Sequence, residues 1–143
     1  MADQARAIDA ILVPIDDSDV SFRALTFAVD MAERYGGALA VAHLTTDGGS
    51  QGADPAGDAI RQRARSIVEG ADVDATIRIL PDLTDELRHG EAVGQAIVDL
   101  VLAEGYDHVV MGHRGTGAVE GALAGSAVTR VVDSERVPVT VVP

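Results

Sequence analysis

The sequence predicts an α/β fold, a doubly wound parallel sheet of five strands with helices on both faces. Three observations carry this. Short runs rich in Val, Ile, Leu and Ala alternate with segments whose apolar residues recur every three or four positions. The resulting order, βαβαβαβαβ with short connections, requires parallel pairing between successive strands. The chain's 143 residues, 47% of them hydrophobic, suffice for one buried core, expected as a single domain over 1–143.

The elements follow in order. "AILVPID" (10–16) is short, apolar and β-branched, as a strand buried on both faces should be. Ser18 or Asp19 can cap a helix with Phe22, Leu25, Val29 and Ala32 on one side. Arg23, Asp30, Glu33 and Arg34 take the other side, and Gly36-Gly37 ends it. Ser18 and Ser21 read as helix-cap and helix-surface residues rather than nucleophiles. "ALAVAHLTT" (38–46) is a second strand, and the glycine-rich "TDGGSQGADPAG" after it is a loop. A helix over Pro55 to Glu69 presents Ile60, Ala64, Ile67 and Val68. "DATIRIL" (74–80) alternates as an edge strand would, and a polar turn runs from Pro81 to Gly90. Val93, Ala96, Ile97, Leu100 and Val101 form the next helical stripe. "DHVVMG" (107–112) is a strand, "GSAVTRVVDSE" (125–135) a helix and "VPVTVV" (137–142) the last strand.

Composition excludes several functions. There is no Cys, hence no disulfide, thiolate metal site or cysteine nucleophile. With two Phe, two Tyr and no Trp, stacking platforms for single-stranded nucleic acid are nearly absent. A net charge of −12 argues against a non-specific nucleic-acid binder. No basic-then-apolar leader opens the chain and no apolar run approaches the roughly 20 residues of a membrane span, so a cytoplasmic location is expected. The acidity comes from sixteen Asp and seven Glu against eleven Arg and no Lys. This fits an ordinary acidic protein or, more sharply, a high-salt cytoplasm, where short-range screening suppresses self-repulsion. A composition so acidic and free of lysine resembles those of halophilic archaea.

In doubly wound sheets, ligands bind outside the carboxyl ends of the strands where the strand order reverses. The segments after the first and fourth strands, Pro14 to Ser18 and the glycine-rich "GHRGTGAVEGALAGS" from Gly112, are therefore the places for chemistry. Glycines let backbone amides approach a ligand, and a helix N-terminus attracts phosphate. A plain glycine-rich turn with Ser126 as N-cap is the competing reading. A Walker A loop is excluded because it needs Lys. A Rossmann fingerprint starting at Gly115 would need glycine at Glu120, and it belongs after the first strand.

Gly112, two residues, Gly115, nine residues and Gly125-Ser126 match G-x2-G-x9-G-[S/T], the nucleotide-binding signature of universal stress proteins. "ILVPIDDS", "VAHL", "DHVVMGHRG" and "VPVTVV" resemble that family's first, second, fourth and last strands. The resemblance covers nearly the whole chain. It implies an adenine nucleotide α-hydrolase-like sheet of order 3-2-1-4-5 that binds ATP, AMP or another adenine nucleotide, with magnesium brought by the nucleotide. Carried over by position, Pro14 and Asp16 would lie beside the adenosine, while Leu44 and Met111 would line the adenine pocket. Gly112 and Gly115 would let the loop pass close to ribose and phosphates, which Gly125, Ser126 and the amide of Ala127 would hold. At Val128 the sequence departs from the family, whose ATP-binding members often carry a hydroxyl there. Thr129, about 100° further round a helix, is no substitute.

Arg114 is a candidate phosphate contact or a solvated loop side chain. His113 as a general base is the weaker reading of that residue. The four His show no metal-ligand spacing, and Asp16-Asp17 could hold a magnesium ion or be ordinary first-turn residues. The last strand, Val137–Val142, is apolar and suits a sheet edge. The resemblance implies that it pairs across a two-fold axis as a homodimer. The function expected is a nucleotide-responsive dimeric switch in a stress response, acting on an unidentified protein partner. No catalytic residues are assigned: with no lysine and no evident base, at most slow ATP hydrolysis is expected. A weak ATPase or adenylating enzyme of the same fold class and a nucleotide-free structural dimer are the alternatives.

If the acidity is a salt adaptation, raising KCl from about 0.1 M to about 2 M should increase the unfolding temperature strongly. A flat thermal-melt response across that range contradicts the reading.

Overall fold

A computed structural model describes residues 8–44, 55–80, 90–113 and 127–143. Strand β1 (Ala10–Ile15) leads into helix α1 (Asp19–Tyr35), followed by β2 (Ala38–Leu44), α2 (Pro55–Glu69), β3 (Ala75–Leu80), α3 (Gly90–Glu104) and β4 (His108–Gly112). A helix over 127–133, α4, precedes β5 (Val139–Val142). All pairings are parallel, in the order β3-β2-β1-β4-β5, as expected. "DATIRIL" does form an edge strand. Among the described residues no helix is long and apolar enough to cross a membrane.

Strand alternation divides the core into two layers. Ile11, Val13 and Ile15 of β1 join Leu39, Val41 and Val110 against the buried side of α1 and Ala64 and Val68 of α2. Leu12 joins Ala40, Ala42, Val109 and Met111 against Ile97, Val98 and Val101 of α3 and Ala127, Val128 and Val131 of α4. Ile11 through Ile15 are all buried, which is why β1 carries no polar side chain.

Local signals place the ends of α1. Ser18 caps it, its Oγ accepting from Ser21 N at 3.3 Å. Gly36, at φ 71°, closes it with its N–H donating to Ala32 O at 2.8 Å. Ser21 differs from expectation, being buried rather than on the helix surface. At the other end of the sheet the Asp107 carboxylate accepts from the backbone of Asp9 and Ala10, at 2.9 and 3.1 Å, and so ties the start of β4 to the start of β1. The last strand begins at Val139, two residues later than "VPVTVV" suggests. Val137 and Pro138 lead into it, with Pro138 O already accepting from Val109 N at 3.0 Å.

His108 Nε2 lies 2.8 Å from Thr140 Oγ1, bridging β4 and β5. Burial pushes the His108 imidazole below its ordinary value near 6.5, and the neighbouring Asp107 opposes this only in part. The unfolded chain therefore takes up this proton more readily than the fold does. The resulting stability is complete above the ordinary value and is lost as pH falls through the folded one. His108→Gln is expected to flatten the acid side of the melting-temperature profile below the ordinary imidazole value of about 6.5 relative to wild type. Parallel profiles would contradict this.

Candidate functional site

β1 and β4 lie side by side where the strand order reverses, and the region outside their carboxyl ends is where doubly wound sheets place their ligands. Pro14, buried near the end of β1, falls by alternation on the same layer as Leu12. Met111, 6% exposed, belongs to that layer from β4 and shares its cluster with Ala127 and Val128 of α4. The fold thus brings Pro14, Asp16, Met111, Gly112 and Ala127 to one end of the sheet. Leu44 is the last residue of β2, one position beyond the pairing of His43 with Ile15. Arg114, Gly115, Gly125 and Ser126 lie outside the described residues.

Asp16 is exposed, and its carboxylate is held in place. Asp16 Oδ1 accepts from Ser18 N at 2.8 Å and from the Ser18 hydroxyl. Behind it, the buried Ser21 Oγ accepts from Asp16 N at 3.2 Å and contacts the Asp16 and Ser18 carbonyls at 3.1 and 2.9 Å. Ser21 is thus a strut under the β1–α1 turn. The "D-x-S" spacing is a readable turn signal. A serine three residues into a helix carries no comparable sign of burial.

Gly112 has a structural reason beyond ligand approach. A Cβ there would come within 2.8 Å of Val20 O and 2.9 Å of Val20 C, because the first turn of α1 presses against the end of β4. His113 follows, exposed, with its N–H donating to Val142 O at 2.7 Å. Val128 is 9% exposed within the core cluster containing Met111, and Thr129 is exposed. Valine at 128 therefore fills the interior.

Sequence reasoning also missed what seats α4. At Gly94 of α3 a Cβ would meet Arg130 Cβ at 2.5 Å and Ala127 O at 2.8 Å, so α3 and α4 meet through a residue with no side chain. Arg130 donates to Gln95, and Gln95 Nε2 donates to Asp99 Oδ1 at 2.8 Å, bracing the same contact. An isolated glycine inside an apolar helical stripe was the available signal. Among the described residues no group of three or more His, Cys, Asp or Glu is placed to hold a metal ion.

Residues 7–143 match the model of the Universal stress protein family. The fold is similar to universal stress protein UspA from Lactobacillus plantarum, with a TM-score of 0.72 and 26% identity over 98% of this chain and 100% of that one. It is also similar to a universal stress protein in complex with cAMP, with a TM-score of 0.66 and 21% identity over 94% and 96%. A third similar structure, the universal stress protein from Archaeoglobus fulgidus in complex with dAMP, gives 0.66 and 21% over 95% and 98%. No curated protein sequence matches the chain.

Gly112→Ala is expected to lower stability by about 1–3 kcal/mol, because α1 or β4 must move to admit the methyl group. A denaturant titration without added nucleotide measures this. An unchanged midpoint would mean that Gly112 has no packing role.

Proposed function

The chain belongs to the universal stress protein family, and from that premise we propose that it binds an adenine nucleotide in the crevice at the carboxyl ends of β1 and β4. The observation that carries the proposal is the convergence there of Asp16 with Met111, Gly112 and Ala127, next to the glycine-signature residues of the sequence. Asp16, oriented by Ser18, supplies a carboxylate acceptor for ribose hydroxyls or the adenine amino group. Pro14, Leu44 and Met111 supply apolar contact for the base. Gly115, Gly125, Ser126 and the Ala127 amide supply phosphate donors, joined by Arg114. The cAMP and dAMP complexes of similar folds support an adenine nucleotide as the ligand class.

ATP with magnesium is the form the signature suits, and magnesium neutralises phosphate charge that the buried Val128 cannot engage with a hydroxyl. Binding acts as a switch in a stress response, in a cytoplasmic homodimer of single-domain chains (1–143). The liganded loop presents a different surface to a protein partner. Turnover is at most slow, since the chain has no lysine to neutralise a transferred phosphoryl group. The acidic, lysine-free composition suits a halophilic archaeal cytoplasm.

Calorimetric titration with ATP, AMP and cAMP tests the proposal. At least one is expected to bind the wild-type chain, and Gly115→Val and Gly125→Val are each expected to weaken binding by about tenfold or more while the melting temperature holds. The negative field of the protein opposes an approaching anion, so affinity should rise with KCl over a moderate range. Absence of binding by all three nucleotides, or full affinity in both glycine variants, contradicts the site.

A further inference from the structure

A hollow of about 330 Å³ lies at the opposite end of the sheet from Asp16 and Gly112. Ala10 and Ala38 open β1 and β2 there, and Asp74 stands just before β3. The length of β1 puts roughly 16 Å between this hollow and the nucleotide site proposed above. The register pairs Ala10 with Ala38 and Ala40 with Thr76, so these side chains and Arg78 share the sheet face that α3 packs against. Alanine at 10, 38 and 40 leaves the floor low and apolar.

The wall comes from the end of α3. Gly105, at φ 78°, turns the chain, and Glu104 and Tyr106 on either side of it both border the hollow. Arg78 reaches them from β3: its Nη1 donates to the Tyr106 hydroxyl at 3.2 Å and lies 3.2 Å from Glu104 Oε1. The last turn of α3 has no basic residue of its own, so this guanidinium also serves the negative end of the helix dipole.

That brace uses one nitrogen of three. Among the described residues Arg78 Nε and Nη2 make no hydrogen bond, and together they form an edge of the guanidinium that suits a carboxylate. The hollow is bordered by two carboxylates, Asp74 and Glu104, against this one guanidinium. A simple anion would meet that excess and the −12 of the whole chain. A simple cation would leave the guanidinium edge unused. A molecule carrying both charges on one carbon, with an apolar body, engages every group.

We propose that this hollow binds a free α-amino acid with an apolar side chain. Its carboxylate takes the Nε and Nη2 edge of Arg78, and its ammonium donates to Asp74 and the Thr76 hydroxyl. Its side chain lies over the three alanines. The volume is at the small end of ligand pockets, which span about 300–1,000 Å³. The site goes beyond the nucleotide-binding reading and does not depend on it.

Titrating the isotope-labelled chain with L-leucine and L-phenylalanine, followed by amide shifts, tests this. Saturable shifts are expected at Ala38, Ala40 and Thr76 at about millimolar affinity, with or without nucleotide. L-Leucinamide, which lacks the carboxylate, and 4-methylpentanoate, which lacks the ammonium, should each bind about tenfold or more weakly than L-leucine. Arg78→Lys keeps a charge beside Glu104 but loses the planar fork, and should weaken L-leucine by about tenfold. Asp74→Asn should weaken L-leucine about as much without weakening 4-methylpentanoate, an outcome that a mere brace at Arg78 does not produce. Asp74 is exposed, so this variant keeps the test open if Arg78→Lys fails to fold. No saturable shift with either amino acid, or equal binding of L-leucine and 4-methylpentanoate, overturns the proposal. Shifts centred on Asp16 and Met111, or full affinity in both variants, overturn it too.

Discussion

Everything in this fold leans on β1. It is the middle strand of five, and both helical layers pack against it, so no position from Ile11 to Ile15 can reach water through a side chain. Burying Ile11, Leu12 and Val13 completely removes enough apolar surface to contribute several kcal/mol, at about 25 cal/mol per Å². A strand held this way on both faces and both edges turns polar only where it leaves the sheet. Asp16 is the first exposed side chain after the strand, and it emerges where β4, on the other side of the order reversal, ends at Gly112. The crevice is a consequence of burial in the centre as much as of the residues that line it.

The fold was legible because its signals are local. Period-2 and period-3.6 patterns, Ser18 before α1 and Gly36 after it are read within one or two turns of chain, and the structure has each of them. What was illegible depends on contacts between elements distant in sequence. Ser21 looks like any polar residue on an amphipathic helix, yet it is buried because the turn from β1 folds its backbone over that hydroxyl. Asp107 looks like a solvated residue before a strand, yet its carboxylate accepts two backbone N–H groups from residues nearly a hundred positions away. Gly94 sat inside a helical stripe with no stated reason, and the reason is the backbone of α4. The start of the last strand was placed two residues early because "VP" is as apolar as the strand itself.

The candidate site was about half legible. Glycine spacing and the order of the strands brought Gly112 and Met111 to the same end of the sheet as Asp16, which is where they stand. The same spacing hid a second cause: Gly112 is also required by the first turn of α1, so its presence is weaker evidence for a ligand than that of a glycine with no such neighbour. Val128 shows the reverse. Against the family pattern it is a missing hydroxyl; in the packed protein it is a core side chain in the same cluster as Met111. The remaining glycine-signature residues fall outside the described residues.

One physical link joins the crevice to the edge of the sheet. Gly112 pairs with Val142, His113 N–H donates to Val142 O, and Arg23 on α1 holds the carbonyl of Pro143. β5 has only four residues and one neighbouring strand, so these contacts are a large share of what keeps it in place. The strand offering the free edge is therefore hydrogen-bonded to the backbone where β4 turns into the glycine-rich segment. The end of β4 and the end of β5 thus share their backbone hydrogen bonds, and a change in the backbone at Gly112 and His113 is felt directly at Val142.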